Sequence, residues 1–198
     1  MKFLTDEMHG NLTKWLRFLG YDTKYAKDYE QIYGSPVNDD DLIEECFSAF
    51  RILITRDREC SNKMAKKFKN LSDPEKFQKF EISAAPNTIK EQISPSILLE
   101  SVELIENLAK ISDKFGIRLD YDSKFARCSN CNAKIKEILK ENLNKEEIPN
   151  LVYKFQEKFW KCSNENCNKY YWIGSHFERI IEQLQKIQDK KQILRLKN

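Results

Sequence analysis

At 198 residues, 40% of them hydrophobic and 12% aromatic, the chain can bury a packed core as one ordinary domain or two small ones, which excludes a disordered or fibrous protein. A net charge of +3 does not by itself demand a nucleic-acid partner; what matters is whether the basic residues gather on one face. The opening "MKFLTDEMHG" lacks an apolar stretch of signal length, and no apolar run approaches the roughly 18–20 residues of a membrane span, so a soluble cytoplasmic protein without a membrane partner is expected.

In chain order, "KFLTD" (2–6) reads as a short strand ending in Asp6. In "NLTKWLRFLG" (11–20), Leu12, Trp15, Leu16 and Leu19 recur at helical spacing, with Asn11 as N-cap, Gly20 as terminator, and Lys14 and Arg17 on the other side. "YDTKYA" (21–26) reads as a second strand. After a polar stretch through Gly34, Ser35 and Pro36, residues 38–50 carry a helical face of Leu42, Ile43, Cys46, Phe47 and Phe50, with three aspartates in the first turn. "RILIT" (51–55) is the next strand, "NKMAKKF" (62–68) a basic helix, and "KFEIS" (79–83) a further strand. Prolines 86 and 95 mark a boundary, and residues 96–115 are expected to be helical through Ile97, Val102, Ile105, Leu108 and Ile111. Residues 125–174 turn to cysteines, asparagines and aromatics, and Phe177, Ile180, Ile181, Leu184 and Ile187 then make an amphipathic helix. The expected units are therefore 1–95, a connecting helix in 96–124, a cysteine lobe in 125–175 and a C-terminal helix in 176–198.

The alternation of strands and helices predicts an α/β fold with a mainly parallel sheet, and ligands gather at the carboxyl ends of such strands. Asp6 and Asp57 lie just past strand ends, and Asp39, Asp40 and Asp41 open a helix. Clustered carboxylates at strand ends suit Mg²⁺ or Mn²⁺, hard ions that take oxygen ligands and keep several waters. Taken singly, Asp39, Asp40 and Asp57 read equally well as helix caps, so the argument rests on their convergence. Lys14, Arg17, Arg56, Arg58, Lys63, Lys66 and Lys67 come from the same segments. Cations around a carboxylate site fit a polyanionic substrate, against the plainer reading of a solvated charged face.

Cys128 and Cys131, with Cys162 and Cys167, have the spacing of a four-thiolate structural zinc site, and a lobe of this size needs metal to fold. With only His9 and His176 in the chain, a histidine-rich catalytic zinc centre is not expected. Cys46 reads as core, and Cys60 receives no role. Phe155, Phe159, Trp160, Tyr170, Tyr171 and Trp172 could stack on bases, although packing the lobe is the plainer reading.

Three stretches carry a resemblance. "FLTDEMHGNLTKWLRFLGYDT" (3–23), "DDDLIEECFSAFRILITRDRE" (39–59), and "RCSNCNAKI" (127–135) with "FWKCSNENCNKYYWIGSHFERI" (159–180) follow one another in the order of a known family. The chain resembles the PIN-like RNase family named after the C-terminal domain of the worm exonuclease mut-seven. The resemblance implies a PIN-like three-layer α/β/α domain, a small zinc ribbon and a C-terminal helix. It implies a ribonuclease that hydrolyses RNA through a metal-activated water, with structural zinc and catalytic Mg²⁺ or Mn²⁺. By position, Asp6, Asp39 and Asp57 match the metal-binding acids, with Asp40 the next candidate for the middle one and Asp22 or Asp28 for a fourth. Arg17 and Arg56 match basic positions suited to phosphate, with Lys14 and Arg58 beside them, and Trp172, His176 and Arg179 are candidate RNA contacts of the ribbon. Ribosomal and transfer RNA are the candidate substrates. The second cysteine turn is expanded, Asn168 stands where a glycine is common, and residues 84–124 are longer than the usual connection. The competing readings are a non-catalytic RNA- or ribosome-binding module and a protein–protein adaptor.

Overall fold

A computed structural model of the chain describes residues 1–71, 74–80 and 94–196. Its elements are β1 (Lys2–Thr5), α1 (Gly10–Phe18), β2 (Asp22–Tyr25), α2 (Glu30–Tyr33), α3 (Asp39–Ala49), β3 (Ile52–Thr55), α4 (Arg58–Lys69) and α5 (Pro74–Lys79). There follow β4 (Ser96–Leu98), α6 (Leu104–Phe115), β5 (Ile135–Ile138), α7 (Asn150–Phe155), β6 (Phe159–Cys162), β7 (Tyr170–Trp172) and α8 (Ser175–Leu196).

The first four strands form one sheet in the order β2-β1-β3-β4, every pair parallel. Alternate side chains of a strand point to opposite faces, and both faces here are covered. Phe3, Ile52, Ile54 and Ile97 turn to one side, where they meet Leu12 and Leu16 of α1, Leu108 and Ile111 of α6, and Leu184 and Ile187 of α8. Leu4 and Leu53 turn to the other, against Leu42 and Cys46 of α3 and Cys60, Met64 and Phe68 of α4. The result is the three-layer α/β/α architecture.

Several expectations shift. Residues 96–98 are a strand, not the start of a helix: Pro95 offers its carbonyl to the Leu53 amide at 2.8 Å, and the sheet continues past residue 95. The spacing from Ile97 to Val102 was never helical, and α6 begins only at Leu104. Lys79 closes α5, and residues 81–83 of the strand expected over 79–83 lie outside the described residues. Asn11 does not cap α1. A 3-10 turn over Glu7–His9 precedes that helix, and Asp6 caps the turn by accepting from the Met8 amide at 3.0 Å.

Gly20 does terminate α1, at φ +93°, and a Cβ there would lie 2.9 Å from that of Phe125. Glycine is therefore required both by the left-handed backbone and by the close passage of the chain entering the second lobe. In that lobe β5-β6-β7 form an antiparallel sheet over a small core of Leu143, Ile148, Phe159 and Tyr170.

Candidate active site and metal centre

The strand order reverses between β1 and β3, the switch point at which parallel α/β sheets open a crevice. An aspartate follows each strand there, Asp6 directly after β1 and Asp57 two residues after β3. The Asp6 amide bonds to the Ile54 carbonyl at 3.0 Å, and Asp6 Oδ2 accepts from the Arg56 amide at 2.8 Å, tying the two strand ends together. Asp6 Oδ1 also meets His9 Nδ1 at 2.6 Å. Burial pushes the Asp6 carboxyl up, but His9 and the Arg56 amide outweigh it and hold the group below the ordinary carboxylate value.

Asp57 caps α4, its Oδ1 accepting from the Cys60 amide at 2.8 Å, while its own amide is held by Thr55 Oγ1 at 2.9 Å. Asp39 lies in the first turn of α3; burial, then the charge of Asp57, raises its carboxyl above the ordinary value. Burial raises the Cys60 thiol as well, and the charges of Asp39, Asp57 and Asp6 add to that rise. The charges of three acids from three distant segments thus act on one buried thiol. Cys60, passed over in the sequence, is the hinge of the cluster. The signal for it was its place three residues past the capping Asp57, on the apolar face that continues through Met64 and Phe68.

The carboxylates are not closed on one another. Among the described residues, only the four cysteines form a group of three or more such ligand atoms all within 4.8 Å of each other. Mg²⁺ commonly takes one or two carboxylates directly and reaches others through water, so the wider spacing still suits a hydrated ion. Asp40 does not join the cluster: its side chain is 80% exposed and pairs with Lys63 at 3.4 Å. Asp22 and Asp28 are also elsewhere. Asp22 pairs with Lys2 in the sheet register, at the opposite end of the strands, and binds Arg51 at 2.7 Å, while Asp28 binds Arg17 at 2.8 Å.

Arg17 is the clearest departure from expectation. Its side chain is only 3% exposed, so it cannot grip a phosphate. Nε donates to the Thr23 carbonyl at 2.8 Å, and Nη1 donates to the carbonyls of Ser129 and Asn130 at 3.2 and 2.9 Å. Asn132 completes the joint, its Oδ1 accepting from the Thr23 amide at 3.0 Å and its Nδ2 donating to Asp22 at 2.8 Å. Edge strand β2 is thereby sealed by the first cysteine turn, satisfying backbone groups that an open edge would expose.

Of the other basic candidates, Arg58 pairs with Glu100 and Lys67 with Glu44. Lys14 and Lys66 are exposed. The Arg56 side chain makes no hydrogen bond or ion pair among the described residues. In the second lobe Phe159, Trp160 and Tyr170 are buried and Trp172 packs against the cluster that holds Phe159 and Tyr170, so most of the aromatics serve the core, while Phe155 is exposed. Arg179 Nε turns back to the Ser175 carbonyl at 3.4 Å, and the His176 side chain lies outside the described residues.

The cysteine group is compact. Cys128 and Cys167 have sulfurs 3.6 Å apart, and Cys131 and Cys162 have theirs 3.4 Å apart. Zinc–sulfur bonds of about 2.3 Å place tetrahedral sulfurs about 3.8 Å apart, so the four thiols can take zinc with little movement. All four are free. The Tyr171 hydroxyl donates to Cys128 Sγ at 3.1 Å and the Asn164 amide to Cys162 Sγ at 3.4 Å, as partners of thiolates should. Burial opposes ionisation of Cys128, but Tyr171 and the backbone amides of Cys131 and Asn130 bring it down to about 7. Each turn leaves through an asparagine of positive φ, Asn132 at 68° and Asn168 at 50°, so the expanded second turn keeps the left-handed exit that glycine usually supplies.

A parallel α/β/α sheet with acids at its switch point, joined to a lobe whose four cysteines could hold zinc, defines a two-part protein. The chain matches the family model described as the Mut7-C RNAse domain over residues 1–184, and it belongs to that family. Membership gives it a nuclease-like role with RNA as the substrate class. No curated protein and no solved structure matches the chain. Among the described residues, no helix is long and apolar enough to cross a membrane.

Proposed function

We propose that the chain is a metal-dependent ribonuclease that hydrolyses RNA phosphodiester bonds at the carboxyl edge of β1 and β3. The observation that carries this reading is that Asp6 and Asp57 follow β1 and β3 at one edge of the sheet, where Asp6 accepts from the Arg56 amide and Asp57 from the Cys60 amide, with the charges of both and of Asp39 acting on the Cys60 thiol. These three acids would hold Mg²⁺ or Mn²⁺, which when bound supplies Lewis-acid polarisation of the phosphodiester and a lowered pKa for an attacking water. The chain's own residues do the positioning. His9 and the Arg56 amide fix the rotamer of Asp6, the start of α4 fixes Asp57, and the Arg56 guanidinium is free to bind a phosphate oxygen. The cysteine lobe would hold one structural zinc and widen the RNA-binding surface, and four reduced thiols suit the cytoplasm.

Asparagine caps a helix as well as aspartate, so Asp57→Asn should fold normally. Loss even of groups that only support a metal ligand costs about 10–100-fold, so this variant should cleave RNA at least about 100-fold more slowly in Mg²⁺ or Mn²⁺. Cleavage at the wild-type rate would sink the mechanism. The open spacing of the carboxylates favours one competitor, a non-catalytic RNA-binding module. That reading predicts tight, salt-dependent binding and no cleavage by the wild type in either metal.

A further inference from the structure

The four sulfurs do not share their hydrogen bonds evenly. Cys162 Sγ receives the Asn164 amide at 3.4 Å, and Cys167 Sγ receives the side-chain amide of Asn130 at 3.5 Å. Cys128, fully buried, receives the Tyr171 hydroxyl at 3.1 Å, the shortest of these contacts. Tyr171 comes from β7, 43 residues further along the chain, so this bond also ties β7 to the first cysteine turn.

The phenol stands in a chain of donors. Its oxygen accepts from the Ser129 amide at 3.0 Å and lies 3.3 Å from Ser129 Oγ. Lys169 Nζ donates to Ser129 Oγ at 3.5 Å, the longest link, and sits 5.6 Å from the centre of the Tyr171 ring. Both ends of this chain fix its direction. A lysine ammonium can only donate, and the thiolate that zinc binding requires can only accept. Each hydrogen therefore points the same way, from Lys169 through the Ser129 and Tyr171 hydroxyls to Cys128 Sγ. The Ser129 amide, which can only donate, is satisfied by the same orientation. Bonds in such a chain polarise one another, so the last one, onto sulfur, is stronger than a lone phenol would make.

Four thiolates outweigh the charge of zinc, so the loaded centre is an anion, and two of its four sulfurs belong to buried residues. An anion removed from water needs donors and counter-charge. We infer that Lys169, Ser129 and Tyr171 form a relay that brings the lysine's charge to bear on the zinc-bound Cys128 sulfur, and that Tyr171 is the positioning residue that sets how tightly the lobe keeps zinc. The inference rests on the four thiols holding zinc, as proposed above. It adds the residues outside the ligand set that govern retention of the metal.

The test uses the full-length protein loaded with zinc, and with Co²⁺ in its place as a spectroscopic probe. Tyr171→Phe keeps the ring and removes only the hydroxyl. It should hold zinc about 10–100-fold more weakly in competition with a chelator. Its Co²⁺ form should keep the ligand-field bands of a tetrahedral site and move the sulfur-to-cobalt charge-transfer band to longer wavelength, because a sulfur that loses a hydrogen bond gives up its electrons at lower energy. A merely structural role, holding the first cysteine turn through the Ser129 amide, would weaken binding without moving that band. Lys169→Gln, at an exposed position, should produce both changes in the same direction and to a smaller extent. An unmoved band in Tyr171→Phe would overturn the inference, as would zinc held as tightly as by the wild type. Should Tyr171→Phe take up no metal, Lys169→Gln carries the test alone, and its agreement with the wild type in both readings overturns the relay. A wild type that binds neither zinc nor Co²⁺ overturns the zinc reading itself, whereas a wild type that binds both, with variants that match it, overturns only the relay.

Discussion

The four thiols and the three carboxylates are both drawn from distant sequence, but the fold finishes one set and leaves the other open. The sulfurs lie within 4.8 Å of one another, ringed by donors from Tyr171 and backbone amides. The carboxylates all act on the Cys60 thiol, with Asp6 stabilised as an anion and Asp39 disfavoured as one by burial and then by the charge of Asp57. A metal that completes a fold needs a closed donor set, since its binding energy is folding energy. A metal that does chemistry needs open positions and an anionic surplus to draw it in. The contrast predicts that disturbing the thiols unfolds a lobe, whereas disturbing the acids stops a reaction and leaves the fold.

The largest effect should come from the thiols. Beneath them the lobe has only the cluster of Leu143, Ile148, Phe159 and Tyr170, and structural zinc in small domains is worth about 10–16 kcal/mol in apparent terms. Cys162→Ser, or removal of zinc by a chelator, should lose one bound zinc per chain and amide protection throughout the lobe, while the parallel sheet stays protected. Metal analysis with hydrogen exchange checks this. Full protection in Cys162→Ser would erase the contrast.

Next comes the joint between the two regions. Arg17→Met strips donors from three carbonyls and leaves Asp28 without its cation. Breaking a fully buried pair typically costs about 3–5 kcal/mol, and with Asp28 27% exposed the loss here should fall below that. Thermal unfolding should show the loss, with protection falling first around Thr23 and the Cys128–Cys131 turn. An Arg17→Met protein as stable as wild type but weak on RNA would restore the phosphate role.

Arg17 also marks what local sequence can convey. Asp6 and Asp57 were legible because each ends a short apolar strand, and parallel strands carry such residues to one edge. The thiols were legible from spacing alone, and Gly20 from its place after an amphipathic stripe. Arg17 looked like a surface cation because its partners, Ser129 and Asn130, lie more than a hundred residues away. Strand β4 was missed because three residues carry too little periodicity to separate strand from helix, and only pairing with β3 decides it.

Arg56 should behave as the counterpart of Arg17. Its guanidinium has no partner among the described residues, and the bond Arg56 makes to Asp6 comes from the backbone amide, which a side-chain change retains. Arg56→Gln should therefore leave thermal stability unchanged, weaken RNA binding similarly for all sequences, and lower the salt slope of log affinity by about 1. An unchanged slope would remove Arg56 from the phosphate path.

The smallest effect is the sharpest test of the open site, because its two carboxylates should respond to pH with opposite signs. Asp6 has a folded value below the ordinary 3.8, so the stability it contributes is present above 3.8 and is lost as pH falls through the lowered value. Asp39 has a folded value above 3.8, so the fold favours its protonated form. Its contribution is present below 3.8 and is lost as pH rises through the raised value, and at neutral pH its charge opposes folding. Asp39→Asn should thus unfold at a slightly higher temperature than wild type at pH 7 and gain nothing at pH 3, whereas Asp6→Asn should unfold lower at pH 7. A divalent ion would relieve the repulsion between Asp39 and Asp57. At a hundredfold excess over its dissociation constant, Mn²⁺ should add about 2.7 kcal/mol to the wild type, enough to reverse the order of wild type and Asp39→Asn. If Mn²⁺ raises neither melting temperature, the acids do not form a metal site, and the distinction between closed thiols and open carboxylates reduces to one metal centre and one charged edge.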